Sequence, residues 1–319
     1  MNLRLLYGGL ALVAASLPSP ALACASCGCT LTSDWLSQGL ASQPGTTFLL
    51  RYDYVPQTVL RSGTHRVDRA SINLPADREI ELSTFNHSVT AQLDHQFAND
   101  FGLNVQLPFI VRPHRTIAED TIDPSGSRTN GFGDLRVVGR WAGLSTKGSI
   151  TGLEAGLVLP TGKFHQRFRS GPAAGDEVDR GLQPGRGTVQ AVLGAYHFGR
   201  LGPVINYLVQ VSGQTALGYR DGYKPGSFVQ ASTALVYAGW RGITPQLQLN
   251  ARVTGRDKGS SSDRPNSGGE QVNVAPGIAV DLSPRLSAFT FVELPLFTRV
   301  NGYQLVPKAK LSAGIQLRL

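Results

Sequence analysis

Sulfur is scarce in this sequence. One methionine and three cysteines occur in 319 residues, and the cysteines are confined to Cys24, Cys27 and Cys29. A disulfide framework running through the fold is thereby excluded. Charge is sparse too: 16% of residues are charged, with 30 basic against 22 acidic side chains, a formal balance of +8. Long apolar runs are missing. After Leu17 no stretch approaches the roughly 18 residues that a membrane-spanning helix needs. Catalytic signatures are absent as well. There is no phosphate-cradling glycine loop and no metalloprotease histidine pair. No C-x2-C-H offers a haem attachment. None of His65, His87, His95, His114, His165 or His197 has a serine two positions away, the spacing that an outer-membrane lipid hydrolase would use. The sequence predicts no enzyme and no cofactor.

What is present begins with an export signal. Arg4 supplies the basic start, Leu5 to Leu17 the apolar core, and Ala21-Leu22-Ala23 the small-residue cleavage site. Residues 1–23 therefore read as a signal peptide, with acylation of Cys24 as the alternative outcome of processing. An exported chain does not meet nucleic acid, so the basic balance needs another partner. Arg61, Arg66, Arg69, Arg78, Arg115, Lys163, Arg167, Arg169, Arg180 and Arg186 fall in non-periodic stretches. Solvated loops explain them; so do loops lying against the phosphorylated glycolipid, lipopolysaccharide, of an outer leaflet.

Residues 24–45 form a separate arm or plug. Their C-x2-C-x-C offers soft thiolates for Cu(I) or Zn(II) at Cys24, Cys27 and Cys29. Three thiolates without a nearby histidine make an incomplete site, and signal cleavage could remove Cys24. A structural role is the competing reading.

From residue 46 onward the pattern is dyad alternation. Leu153, Ala155, Leu157 and Leu159 share one face, against Gly152, Glu154, Gly156 and Val158. Leu247, Leu249, Ala251 and Val253 oppose Gln246, Gln248, Asn250 and Arg252. Period two means strands. Twelve such strands can be counted. Their connections alternate in length. Long ones are expected at about 57–81, 113–131, 161–187, 217–227, 255–270 and 298–307, and short ones between them. A soluble sandwich has no reason to sort its loops by parity; a transmembrane antiparallel β-barrel does, because alternate connections lie on opposite sides of the membrane. Closure follows from physics, since an open sheet edge would leave unpaired backbone groups in lipid. Residues 46–319 are thus expected to form an all-β outer-membrane barrel, delivered by the outer-membrane insertion machinery.

Five short segments then line up in order: Leu107-Pro108-Phe109, Gly131-Phe132-Gly133-Asp134-Leu135-Arg136, Leu159-Pro160-Thr161-Gly162-Lys163, Leu182-Gln183-Pro184-Gly185-Arg186-Gly187 and Glu293-Leu294-Pro295. This series resembles the outer-membrane family named for the phenol-degradation MetA pathway, over roughly residues 100–319. Arg186 stands where that family more often has a small residue. The resemblance implies a barrel passing small, often hydrophobic, molecules across the outer membrane.

Strand parity turns Arg51, Asp53, Asp94, Arg112, Asp134, Arg136, Arg140, Glu154, Arg252, Asp281, Glu293 and Lys310 towards the lumen. One reading is a charged constriction that selects solutes; the other is structural pairing across neighbouring strands. Asp134, Arg136 and Arg140 with Glu154 form the expected paired set. In the loop 161–187, Pro160, Thr161, Gly162, Lys163, Gln183, Pro184 and Gly185 bracket a segment that either folds inward as a lid or stays exposed. The function expected is passive passage of small, aromatic or otherwise hydrophobic solutes. The alternative is a non-conducting structural or metal-binding protein that works through the cysteine arm.

Overall fold

The computed structural model describes residues 44–319. The signal peptide, the three cysteines and nearly all of the 24–45 arm lie outside the described residues. The elements are β1 (Gly45–Gly63), β2 (His65–Arg66), β3 (Ile80–Gln96), β4 (Phe101–Ile117), β5 (Pro124–Phe132), β6 (Leu135–Trp141) and β7 (Ile150–Leu159). They continue with β8 (Gln190–Arg200), β9 (Ile205–Ala216), β10 (Phe228–Tyr237), β11 (Ile243–Thr254), β12 (Gly269–Asp281), β13 (Leu286–Pro307) and β14 (Lys310–Arg318). Each wall strand pairs antiparallel with its sequence neighbours, and β14 pairs back onto β1 from Thr47↔Arg318 to Tyr54↔Leu311. The result is a closed 12-strand barrel. β5 and β6 are two halves of one wall strand, both paired to β4. β2 is a short flap on β1.

The polarity of the wall is inverted relative to a soluble protein. On β11, Gln248 is 1% and Asn250 0% exposed, while Leu247, Leu249 and Val253 are 49%, 43% and 55% exposed. The same inversion runs round the barrel through Leu93, Leu103, Leu157, Leu193, Val211, Leu235, Leu294 and Ile315, all exposed. A continuous apolar surface of this extent is not sustained in water. It is the outward band of a barrel that spans a membrane. Aromatic side chains rim its inner end: Phe97, Phe101, Trp141 and Trp240 are exposed beside the short turns, and Tyr237 packs edge-on to Trp240.

Three departures from the sequence expectation concern the outer side. β1 runs on to Gly63, β4 to Ile117, and β5 begins at Pro124, so much of 57–81 and 113–131 is strand. Residues 298–307 are not a loop either. The first part of β13 runs antiparallel to β12 and β14, whereas Val300–Pro307 runs antiparallel to β1. The chain therefore reverses within β13. Gly302, following Asn301, takes the left-handed backbone (φ +48°) that a tight reversal needs. Outer connections are consequently not all long: 118–123 and this reversal are short. The reason is that dyad apolar alternation fails at these strand ends: Val59-Leu60 and Leu305-Val306 are adjacent apolar pairs, while Arg112, His114, Thr116, Ser125, Ser127 and Thr129 are polar at buried positions.

The lumen is narrow and filled in its inner half. Phe289 and Phe291 point inward with Leu49, Ala275 and Ala279 as one apolar cluster. Gly277 lies beside Phe291, and a Cβ there would overlap the ring. Small against large across neighbouring strands is how a small barrel packs its interior.

Candidate functional site

Four of the five sequence segments meet at one point in the wall. Between β5 and β6 the strand breaks at Gly133-Asp134, and Asp134 turns its carboxylate onto two backbone amides. Gly162 N donates to one oxygen at 3.0 Å and Arg186 N to the other at 2.8 Å. Gly133 N donates to Pro108 O at 2.8 Å, and Gly185 N to Lys163 O at 3.0 Å. Thr161 closes the knot: its hydroxyl donates to Gly133 O (3.1 Å) and accepts from Leu135 N (2.9 Å). The glycines here are required by contact. A Cβ on Gly162 would come within 2.6 Å of Gly185 Cα, and one on Gly185 would overlap the Gly162 carbonyl. Both ends of the loop between β7 and β8 are thus clamped to the break.

The clamped loop turns inward. Arg180, Gly181, Leu182, Gln183, Pro184 and Gly185 are consecutively buried, with a single 3-10 turn over Arg180–Leu182. They rest on inward-facing wall residues. Arg112 Nη1 donates to Gly181 O at 3.1 Å and Thr129 Oγ1 to Leu182 O at 2.8 Å. Gln183 donates to Val178 O and Gln166 O, and accepts from Gln166 N. Pro160, Thr161 and Lys163 stay exposed at the loop's start; Gly162 is buried.

Two other outer loops hold it down. The buried Arg180 guanidinium lies 4.1 Å from the Phe164 ring and 5.7 Å from that of Tyr223, with Asp221 at 3.6 Å. Tyr223 donates its hydroxyl proton to Asp257 (2.9 Å) and accepts from Arg186 Nη1 (3.3 Å). Phe164, Tyr223 and Asp257 were not singled out by sequence reasoning, and Arg180 was read only as one of the basic loop residues. The available signal was weak: two aromatic residues in otherwise polar, glycine-rich stretches.

Asp179, next to the 3-10 turn, is exposed and lies within electrostatic reach of other acids. Enclosure first, then the carboxylates of Glu79, Asp263 and Glu81, push its carboxyl up to about 8, opposed only in part by His114. The seated loop therefore holds this proton more tightly than a released loop would. That contribution is complete below the ordinary value near 3.8 and is lost as pH rises towards about 8. Protection of the 160–189 segment from a protease is expected to fall between pH ~5 and ~8, and to fall less steeply in Asp179→Asn, where Glu81, also pushed up to about 8, still titrates. Protection that rises with pH would contradict this assignment.

The remaining sequence candidates separate into pairs and outliers. Arg51 meets Asp53 at 2.9 Å and Lys310 meets Glu293 at 2.8 Å. Arg112 also donates to Asn86. Arg136 reaches Gln214 and Arg252 stacks on Phe228. Asp281 sits exposed at the inner rim rather than inside the lumen. The expected set of Asp134, Arg136, Arg140 and Glu154 does not pair. Arg140 faces Glu154 directly across β6 and β7, yet its guanidinium turns the other way, 2.6 Å from Asp94. Gly102 on the intervening β4 makes this route open; a Cβ there would lie 3.1 Å from Arg140 Nη2. Glu154 is held instead by Gln210 Nε2, 3.2 Å from each oxygen. The histidines are structural. Thr46–His95, Thr84–His114 and Thr151–His197 are cross-strand neighbours joined hydroxyl to ring nitrogen. Among the described residues no group of three or more His, Cys, Asp or Glu side chains is placed to hold a metal.

No family model matches the chain, and no curated protein is similar to it in sequence. Solved structures do share its architecture. An outer membrane channel from Pseudomonas putida F1 superposes with a TM-score of 0.63 at 14% identity, over 86% of this chain and 96% of that one. The transport unit of the autotransporter AIDA-I from Escherichia coli gives 0.52 at 11% identity, over 88% and 92%. The translocator domain of the autotransporter NalP from Neisseria meningitidis gives 0.51 at 9% identity, over 89% and 92%. At such identities the likeness establishes the fold and nothing finer: this chain is a closed barrel of the outer-membrane kind.

Proposed function

We propose that the barrel is a passive outer-membrane conduit for small molecules with apolar or aromatic bodies, and that the inward loop 160–189 is its lid. The observation that carries this reading is the six-residue buried run Arg180–Gly185, seated on Arg112 and Thr129 of the wall. A surface loop would leave its backbone in water. This one crosses the outer mouth and is fastened at points that can release: one carboxylate, one stacked guanidinium and one tyrosine hydroxyl. Below it, apolar inward patches alternate with polar ones. Val138, Val158 and Val192 form one patch, and Tyr196, Leu208 and Ala234 another. A solute would bind there after lid release and leave by diffusion, through the lumen or sideways between strands. No energy source is needed. The resemblance to the phenol-degradation family supports an aromatic solute, and the basic outer loops suit a lipopolysaccharide surface. Insertion by the outer-membrane assembly machinery belongs to the same reading.

One observation favours a second reading. Phe289 and Phe291 fill the inner lumen, as they would in a plugged, non-conducting barrel whose work is done by the arm carrying Cys24, Cys27 and Cys29. Uptake of toluene into vesicles coated with lipopolysaccharide separates the two. Uptake above that of barrel-free vesicles is expected, and higher still once residues 166–182 are deleted. Uptake equal to the barrel-free control for both the full-length and the loop-deleted protein, together with stoichiometric Cu(I) or Zn(II) binding, would replace the conduit with the plugged barrel.

A further inference from the structure

The inward charges do not cancel. Three pairs neutralise one another: Arg51 with Asp53, Arg140 with Asp94 and Lys310 with Glu293. Asp134 is committed to two backbone amides. Arg136 on β6 and Arg252 on β11 have no acidic partner within hydrogen-bond distance. Arg136 Nη1 instead reaches over β7 and β8 to donate to Gln214 Oε1 of β9 at 2.9 Å, so its side chain forms a chord across the lumen. Gln214 in turn donates to Gln190 at 2.8 Å and is the cross-strand partner of Phe228 on β10. The Arg252 guanidinium lies 3.5 Å from the centre of the Phe228 ring, with only its Nε committed, to Thr254 Oγ1 at 3.1 Å. One continuous set of contacts thus holds two guanidinium groups close enough to act on each other electrostatically. Glu154 is the acid that acts on Arg136, and its carboxylate also accepts from Gln210 Nε2. Two positive charges face one negative charge in a confined space.

An arginine pair that faces a single carboxylate leaves one positive charge uncompensated, and an arriving anion relieves that cost. Guanidinium groups present planar forks of donors that match a carboxylate. The floor beside them is apolar. Val158 is the cross-strand partner of Arg136, Val192 that of Gln214, and Val138 follows Arg136 on the inward face. These three valines pack on one another and are buried, so the arginines lie against a dry wall in which a bound anion would be weakly screened.

We propose that Arg136 and Arg252 form a carboxylate-binding subsite in the lumen, selecting monocarboxylates over neutral molecules of the same shape. The proposal rests on the conduit reading and names the solute class it would favour. The probes are octanoate and 1-octanol, titrated calorimetrically into the full-length barrel in a non-ionic detergent near neutral pH. Octanoate is expected to bind about tenfold more tightly than octanol or better. Arg136→Gln with Arg252→Gln should abolish that preference and leave octanol binding unchanged, while the Arg→Lys pair should keep most of it. Heat-modifiable gel migration verifies that each variant is folded. Equal affinities in the unaltered protein overturn the subsite, whether or not the variants fold. A preference that survives the double Gln change does so too. Octanol binding without an octanoate preference would remove only the subsite. Failure of both ligands to bind would remove the conduit reading with it.

Discussion

Leu249→Arg is expected to destabilise the barrel by about 2–4 kcal/mol, the cost of an arginine on the lipid face near the bilayer midplane. Leu249 lies in the middle of β11, on the outward row with Leu247 and Val253. By its solvent accessibility it is a surface residue, and on a soluble protein such a change would be within about 0.5 kcal/mol of neutral. The two outcomes differ because the outward face here meets hydrocarbon. Urea-dependent refolding into lipid vesicles measures it. The control is Val253→Arg, closer to the outer end of the same row, where the cost should fall to about 0–1 kcal/mol. A neutral Leu249→Arg would mean that this face does not contact lipid, and the membrane-spanning interpretation would fail with it.

Asp134→Ala is expected to unseat the lid. The change leaves Gly162 N and Arg186 N without their acceptor. A buried donor deprived of its partner costs about 1–3 kcal/mol, towards the upper end when the acceptor was charged. Each 1.4 kcal/mol is about a tenfold change in the ratio of seated to released loop, so loss of both bonds should raise the released fraction by roughly one hundredfold or more. The barrel itself should remain, because β5 and β6 keep their separate ladders to β4. Asp134→Asn is the graded control: its one oxygen can serve one amide, and its NH2 is brought up to the other. Two readouts are informative, protease cleavage within 164–182 and single-channel conductance in a planar bilayer. Cleavage that rises without conductance would mean that the loop moves but does not control passage. If neither changes, the clamp is not what holds the loop.

Much of the wall was legible because its cause is local. A residue in a strand faces the opposite way from its neighbour, so lipid on one side and a polar lumen on the other write themselves into alternate positions. Leu153, Leu157, Leu247 and Leu249 could be placed outside, and Glu154, Gln248 and Asn250 inside, from that rule alone. The inner turns were legible for the same reason, being short and flanked by clear strands. Legibility stopped where the chemistry on the two faces became alike. Residues 112–116 and 124–130 are polar at outward and buried positions alike, since Arg112, His114, Thr116, Ser125, Ser127 and Thr129 are polar yet buried, so strand and loop cannot be told apart there. The reversal at Gly302 was hidden because the adjacent apolar pair Leu305-Val306 breaks the alternation just after it, although Asn301-Gly302 is itself a strong turn signal.

The site was less legible than the wall. Four of the five segments meet at the break in the wall, yet nothing in their spacing says that Asp134 binds both Gly162 and Arg186. Nor does it say that Arg180–Gly185 lies inside. Arg140 shows the limit most clearly: its register partner is Glu154, but a missing side chain at Gly102 lets it reach Asp94 on another strand. The sequence by itself determined an exported chain that must close into a lipid-facing barrel, because alternation is fixed by covalent geometry and needs only nearest neighbours. Only the tertiary structure decided that the longest loop turns inward and which charges remain uncancelled, because those depend on contacts such as Arg112 to Gly181 and Arg136 to Gln214 that join residues far apart in the chain.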